Sequence, residues 1–145
     1  MIRRVALYCR VSKNDGQDIN RQVNELKQIV DNYGWKLCDI YSDEGFSRTT
    51  TSRPDLDRMM RDSFSRRWDT LMTLELSRLG TSLKHMIEVV ETLKQRNIKL
   101  FIVNQQIDTE SPVGMMFFSI LTSIQNYERE LLSQRVRYGL DNAIR

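Results

Sequence analysis

Arg10 and Ser12 form the pair in this chain best equipped for chemistry. They close the run Val5-Ala6-Leu7-Tyr8-Cys9-Arg10-Val11-Ser12. Such a run reads as a strand, and side chains alternate across a strand. Arg10 and Ser12 therefore point to one face, and Val5, Leu7, Cys9 and Val11 to the other. An arginine inside a core strand needs a reason. Further arginines open a helix or follow a strand-like segment downstream, at Arg53 and Arg78. A hydroxyl ringed by guanidinium groups is suited to attack on a phosphodiester. The guanidiniums would neutralise the non-bridging oxygens, stabilise the added charge of the transition state and lower the serine pKa. Positioning and charge stabilisation supply most of the catalysis in phosphoryl transfer.

Other chemistries find less support. The single histidine, His85, falls in an amphipathic segment far from Ser12, which disfavours a histidine-dependent hydrolase. No glycine-rich phosphate loop is present. Cys9 and Cys38 read as reduced core thiols in separate strand-like segments and fit no familiar zinc spacing. No paired-carboxylate metal site stands out, Asp43-Glu44 being the nearest to one. The net charge of +3 says little about nucleic acid, but 16 of the 22 basic residues are arginine. Arginine offers a planar fork that matches phosphate oxygens in two-point contact. At 145 residues the chain is expected to form one domain with a sizeable core. No apolar run approaches the ~20 residues of a membrane span. Arg10 interrupts the N-terminal apolar stretch, so no signal peptide is expected and the expected location is cytoplasmic.

The elements that must position these residues alternate between strand and helix. Strands are predicted over residues 5–11, 36–41, 70–76 and 99–103. Helices are predicted over 19–33, from Pro54 with Leu56, Met59, Met60 and Phe64 on one side, and over about 82–96. Residues 42–52 are polar with one glycine and read as a mobile loop. The alternation argues an α/β sandwich with a mostly parallel sheet. Ser111-Pro112 is a strong helix start, and nothing before Arg145 except Gly139 argues for a break. Such a helix would be about 50 Å long. The domain should be only ~40 Å across, so the far end must project. Eight of the twelve residues from Val113 to Ile124 are apolar. A helix apolar on two faces is buried on two sides. One side would pack on the sheet domain and the other on a second copy of the chain.

Read together, these pieces resemble the serine recombinases, the resolvase and invertase family. Tyr8-Cys9-Arg10-Val11-Ser12 resembles the nucleophile motif, and Gln22 to Leu26 the first helix. The segment from Tyr41 to Ser47, followed by Arg53-Pro54, resembles the family's mobile loop and its closing arginine. Leu76-Ser77-Arg78-Leu79-Gly80 resembles its Leu-Asp-Arg-Leu-Gly/Ser motif. Pro112-Val113-Gly114, Tyr127 to Glu130 and Arg135 resemble its long dimerisation helix. The fold implied is a resolvase-like three-layer sandwich with a mostly parallel central sheet and a long projecting C-terminal helix. Residues 1–110 would form the catalytic core and 111–145 the dimerisation and DNA-contacting helix, cut short before a DNA-binding domain. The implied activity is site-specific recombination of double-stranded DNA through a 5′-phosphoserine link, by a homodimer that forms a tetramer in synapsis. No metal or nucleotide cofactor is implied. By position, Ser12 would be the nucleophile, and Arg10, Arg53 and Arg78 would hold the scissile phosphate. Tyr8, Gln22 and Asp43 would support the site. Glu128, Arg129 and Arg135 would lie where the long helix meets partner and DNA. Two departures stand out. Ser77 occupies the position of the family's aspartate, and Thr81 that of a second arginine. Loss of one donor from such a site can cost ~10²–10³ in rate. Lys84, one turn beyond Thr81, restores a charge but not the fork. These departures motivate the competing reading of a non-catalytic relative that assembles on DNA.

Overall fold

The computed structural model describes residues 2–11, 19–44, 53–80 and 82–144, with side chains at 125, 128, 138 and 140–144 left aside. The described chain runs β1 (Arg4–Val11), α1 (Ile19–Asn32), β2 (Lys36–Glu44) and α2 (Pro54–Asp62). It continues through a short 3-10 turn to β3 (Thr70–Thr73), a second 3-10 turn (Leu76–Leu79) and α3 (Leu83–Gln95). Strands β4 (Lys99–Ile102) and β5 (Ile107–Asp108) lead into α4 (Pro112–Ile144). The sheet order is β2-β1-β3-β4-β5. The first four strands are mutually parallel and β5 runs antiparallel to β4.

Alternation along β1 sorts the core into two halves. Val5, Leu7 and Cys9 pack with Leu26 and Val30 of α1 on one face. Ala6 and Tyr8 face the other side, with Leu56 and Met59 of α2, Ile87 and Val90 of α3, and Phe118 and Leu121 of α4. The result is three layers. The first crossover moves outward from β1 to β2, and the second returns past β1 to β3. Right-handed crossovers place the helices of such opposed steps on opposite faces. The reversal falls beside β1, and open α/β sheets bind ligands outside the carboxyl ends of strands at such a point. Arg10 lies at that end of β1.

Several boundaries differ from expectation. Strand β2 continues to Glu44 rather than ending at Tyr41, because it pairs with β1 as far as Val11↔Glu44. Ser42 and Asp43 are thus strand residues; positions 45–52 of the expected loop lie outside the described residues. Strand β3 stops at Thr73, and Leu76–Leu79 is a 3-10 turn. Phe64 is exposed, with the Arg96 guanidinium 3.5 Å from its ring centre. The two-residue strand β5 has no signature in the sequence.

Helix α4 starts as its sequence requires. The Ser111 hydroxyl accepts from the Gly114 N–H at 3.0 Å, and Pro112 takes the first helical position. Its 33 residues make a rod about 50 Å long. Phe118 and Leu121 are buried, and the Lys94 ammonium lies 4.4 Å from the Phe118 ring centre. Met116, Ile120, Ile124 and Tyr127 are exposed. Their spacing of four, four and three residues draws one apolar stripe along the helix.

Candidate active site

The site is organised around Asp43, buried on β2. Its carboxylate accepts from the Tyr8 hydroxyl at 2.7 Å, from the Asp55 N–H at 3.0 Å and from the Leu56 N–H at 3.1 Å. The first N–H groups of a helix have no intrahelical partner and favour negative charge. Arg53, at the N-cap position of α2, makes no side-chain cap bond. Asp43 caps α2 across the fold in its place, and this fixes the start of the helix that carries Arg53. Burial raises the Tyr8 hydroxyl well above the ordinary tyrosine range, and the Asp43 carboxylate adds to that. The fields of Arg53 and Arg10 pull the other way.

Arg53 is 2% exposed, and its three guanidinium nitrogens have no hydrogen-bond partner among the described residues. A buried guanidinium whose hydrogen bonds are unmade is costly. Arg10 and Arg78 tie the end of β1 to the Leu76–Leu79 turn. An Arg10 Nη donates to the Ser77 carbonyl at 2.7 Å, and an Arg78 Nη donates to the Arg10 carbonyl at 2.9 Å. The Arg10 N–H donates to the Gln22 side-chain oxygen at 3.1 Å, which ties α1 to the same strand end. Burial pushes the Cys9 thiol up to about 12, against the field of Arg78.

The six anticipated residues Tyr8, Arg10, Gln22, Asp43, Arg53 and Arg78 therefore gather where β1, β2 and the Leu76–Leu79 turn end beside α1 and α2. Ser12 and Thr81 lie outside the described residues, as does the side chain of Glu128. Arg129 and Arg135 are exposed on α4, away from this cluster in sequence. Lys84 is exposed at the start of α3. Sequence reasoning missed Glu75. It lies 3.7 Å from Arg78 Nε, a spacing of three residues that reads as an ion pair once the 3-10 turn is known. Among the described residues no group of three or more metal-ligating side chains gathers. No helix among them is long and apolar enough to cross a membrane.

The arrangement is a cationic strand-end site suited to a phosphate ester. The family described as resolvase, N-terminal domain, matches residues 5–145. A DNA-invertase of Enterobacteria phage P7 is 35% identical over 136 residues, covering 94% of this chain and 68% of that protein. The serine recombinase gin of Escherichia phage Mu is 36% identical over 133 residues, covering 92% and 64%. The chain thus spans about two thirds of these relatives. Among solved structures, the N-terminal catalytic domain of TP901-1 integrase superposes with a TM-score of 0.81 at 34% identity, covering 88% of this chain and 98% of that one. A resolvase family site-specific recombinase from Streptococcus pneumoniae has the same fold, with a TM-score of 0.82 at 22% identity over 100% of this chain and 99% of that one.

Proposed function

This chain belongs to the resolvase family of serine recombinases, and from that premise we propose that it cuts and rejoins duplex DNA through a 5′-phosphoserine ester at Ser12. The Ser12 oxygen attacks phosphorus as its proton leaves. An O–P bond forms, the bond from phosphorus to the 3′ oxygen breaks, and that oxygen takes up a proton. Rejoining runs the same exchange in reverse with a new 3′ hydroxyl. The ester keeps the energy of the phosphodiester, so the cycle as written consumes no nucleotide.

Arg10, Arg53 and Arg78 hold the scissile phosphate. Tyr8, Gln22 and Asp43 keep those arginines and their elements in register. The observation that carries this reading is Arg53: a buried guanidinium at the start of α2, with no hydrogen-bond partner among the described residues, is answered by an anion. A phosphate diester brought to the end of β1 supplies it. Residues 1–110 act as the catalytic core. Helix 111–145 meets a second copy through its apolar stripe, and two such dimers form the tetramer that joins two DNA sites. By the family's pattern, Glu128, Arg129 and Arg135 would lie where that helix meets partner and DNA. Arginines there contact backbone and minor groove, which positions the duplex. The work takes place in the cytoplasm.

The test uses the protein at low salt with a pool of duplexes whose centres are randomised, in ethylene glycol to slow rejoining. A detergent-resistant protein–DNA adduct mapped to Ser12, absent in Ser12→Ala, is the expected result. No adduct at any protein concentration, with DNA still bound, refutes cleavage and favours a non-catalytic assembly protein.

A further inference from the structure

We propose that Glu75 is the positioning residue for Arg78, taking over the duty of the missing acidic side chain at Ser77. The inference rests on the proposed phosphate site, since Arg78 matters only if it holds an anion.

Three contacts converge on the Glu75 carboxylate. One oxygen accepts from the Asn104 amide at 2.9 Å. The other accepts from the Ser77 hydroxyl at 3.4 Å and lies 3.7 Å from Arg78 Nε. The Arg78–Glu75 contact is at ion-pair distance and beyond a hydrogen bond. Arg78's side chain is 12% exposed and Glu75's is 37% exposed, so the pair sits at the rim with its cation inward. The Arg78 N–H also donates to the Glu75 carbonyl at 3.1 Å. Asn104 is itself fixed, because its N–H donates to the Leu74 carbonyl at 2.9 Å. The Gln105 side-chain oxygen accepts from the Leu76 N–H at 3.3 Å. The segment after β4 therefore braces the turn after β3, and Glu75 carries that brace to Arg78. Arg78 in turn reaches the Arg10 carbonyl at the end of β1.

Ser77 cannot orient a guanidinium by charge. Its hydroxyl lies beside the Glu75 carboxylate, so a carboxylate at position 77 would occupy nearly the same region. Moving the acid by two residues thus preserves its place in space. A small displacement of a phosphate-holding group costs up to ~10² in rate without a matching loss of binding.

The test compares Glu75→Gln, which keeps the acceptor for Asn104 but removes the charge, with the same variant carrying Ser77→Asp. The substrate is the duplex recovered from the adduct pool. Glu75→Gln is expected to slow single-turnover adduct formation by about 10- to 100-fold. DNA affinity and the unfolding midpoint are expected to stay unchanged. Ser77→Asp is expected to restore the rate to within about threefold of the unaltered protein, a rescue that a merely structural role would not give. Equal rates for Glu75→Gln and the unaltered protein, or no rescue, overturn the proposal. Absence of adduct from the unaltered protein refutes the phosphate-site reading instead. Then the ¹H–¹⁵N signal of Arg78 Nε decides the pairing: it moves on Glu75→Gln if the carboxylate holds it, and an unmoved signal overturns the proposal.

Discussion

Replacing Asp43 tests the claim that one buried carboxylate both supports Tyr8 and starts helix α2. One oxygen accepts the Asp55 N–H, and the other accepts the Leu56 N–H and the Tyr8 hydroxyl. Asp43→Asn keeps one acceptor and puts an amide N–H₂ against at least one backbone N–H. Leaving one buried donor unpaired costs about 1–3 kcal/mol. Losing negative charge at a helix start adds about 0.3–1 kcal/mol. The expected loss is therefore about 1.3–4 kcal/mol. Asp43→Ala leaves three donors without their acceptor and should cost more, about 3–6 kcal/mol. Tyr8→Phe removes one donor and leaves both backbone bonds, so about 0.5–1.5 kcal/mol is expected. Equilibrium urea unfolding followed by the fluorescence of Trp35 and Trp68 reads all three. Trp68 is buried and donates to the Tyr41 hydroxyl at 3.3 Å, so its emission reports this half of the core. The double variant should show coupling, because both changes delete the same contact. An order in which Tyr8→Phe costs more than Asp43→Ala would refute the reasoning, as would Asp43→Asn unfolding with the unaltered protein.

Two glycines of α4 should respond with opposite sign. A Cβ at Gly114 would meet the Asp108 carbonyl oxygen at 1.9 Å, whereas one at Gly139 meets nothing within 4 Å. Gly114→Ala should destabilise by ~1–3 kcal/mol by pushing α4 from β5, and Gly139→Ala should stabilise by up to ~1 kcal/mol; thermal melts of both decide. Stability should also fall in alkali. Burial pushes Cys9 up to about 12, and burial with the Asp62 bond pushes Tyr41 up to about 12. Above the ordinary values of 9.0 for Cys and 10.0 for Tyr the unfolded chain releases protons that the folded chain keeps. Folding free energy is then full below about pH 9 and declines toward pH 12, by up to about 1.4 kcal/mol per pH unit per group; a urea midpoint flat across that range would contradict it. The apolar stripe predicts concentration-dependent self-association in sedimentation, lost in Ile124→Arg with an unchanged melt. An isologous interface counts each substitution twice, so more than ~100-fold in Kd is expected. A monomer at high micromolar concentration refutes it.

The parts of the fold visible in the sequence are those with a local period. Val5, Leu7 and Cys9 against Ala6 and Tyr8 is a two-residue alternation, and the structure divides its core along it. Ile19, Val23, Leu26, Ile29 and Val30 follow a helical period, and Leu26 and Val30 are buried. Boundaries set by partners far along the chain were not visible. Ser42-Asp43-Glu44 is polar enough to read as loop, yet β1 draws it into the sheet to Glu44. Its polarity serves the ends of other elements. The Asp55 carboxylate accepts from the Ser42 N–H at 2.8 Å, while Asp43 caps α2. A rule that equates polar with loop cannot see bonds that span twelve or thirteen residues.

The site divides the same way. Arg10 and Ser12 announce themselves because a charge in an apolar strand breaks the pattern. Arg53 and Arg78 stand out only by opening a helix and following a strand-like segment, and nothing local reveals that both approach the end of β1. Contacts to backbone carbonyls help to bring Arg78 there, beside its pairing with Glu75. Arg10 reaches the Ser77 carbonyl and Arg78 reaches the Arg10 carbonyl, which clasps a 3-10 turn to a strand end. A turn of four residues has little cohesion of its own. Each arginine therefore serves as a fastener as well as a charge. Shortening Arg10 to lysine keeps a positive head but loses the fork that reaches the Ser77 carbonyl, so the turn and Arg78 should loosen together. The fall in cleavage should then exceed what one lost hydrogen bond explains, and it should resemble that of Arg78→Lys rather than add to it. Additive losses in the double variant would mean that the clasp does not couple the two residues.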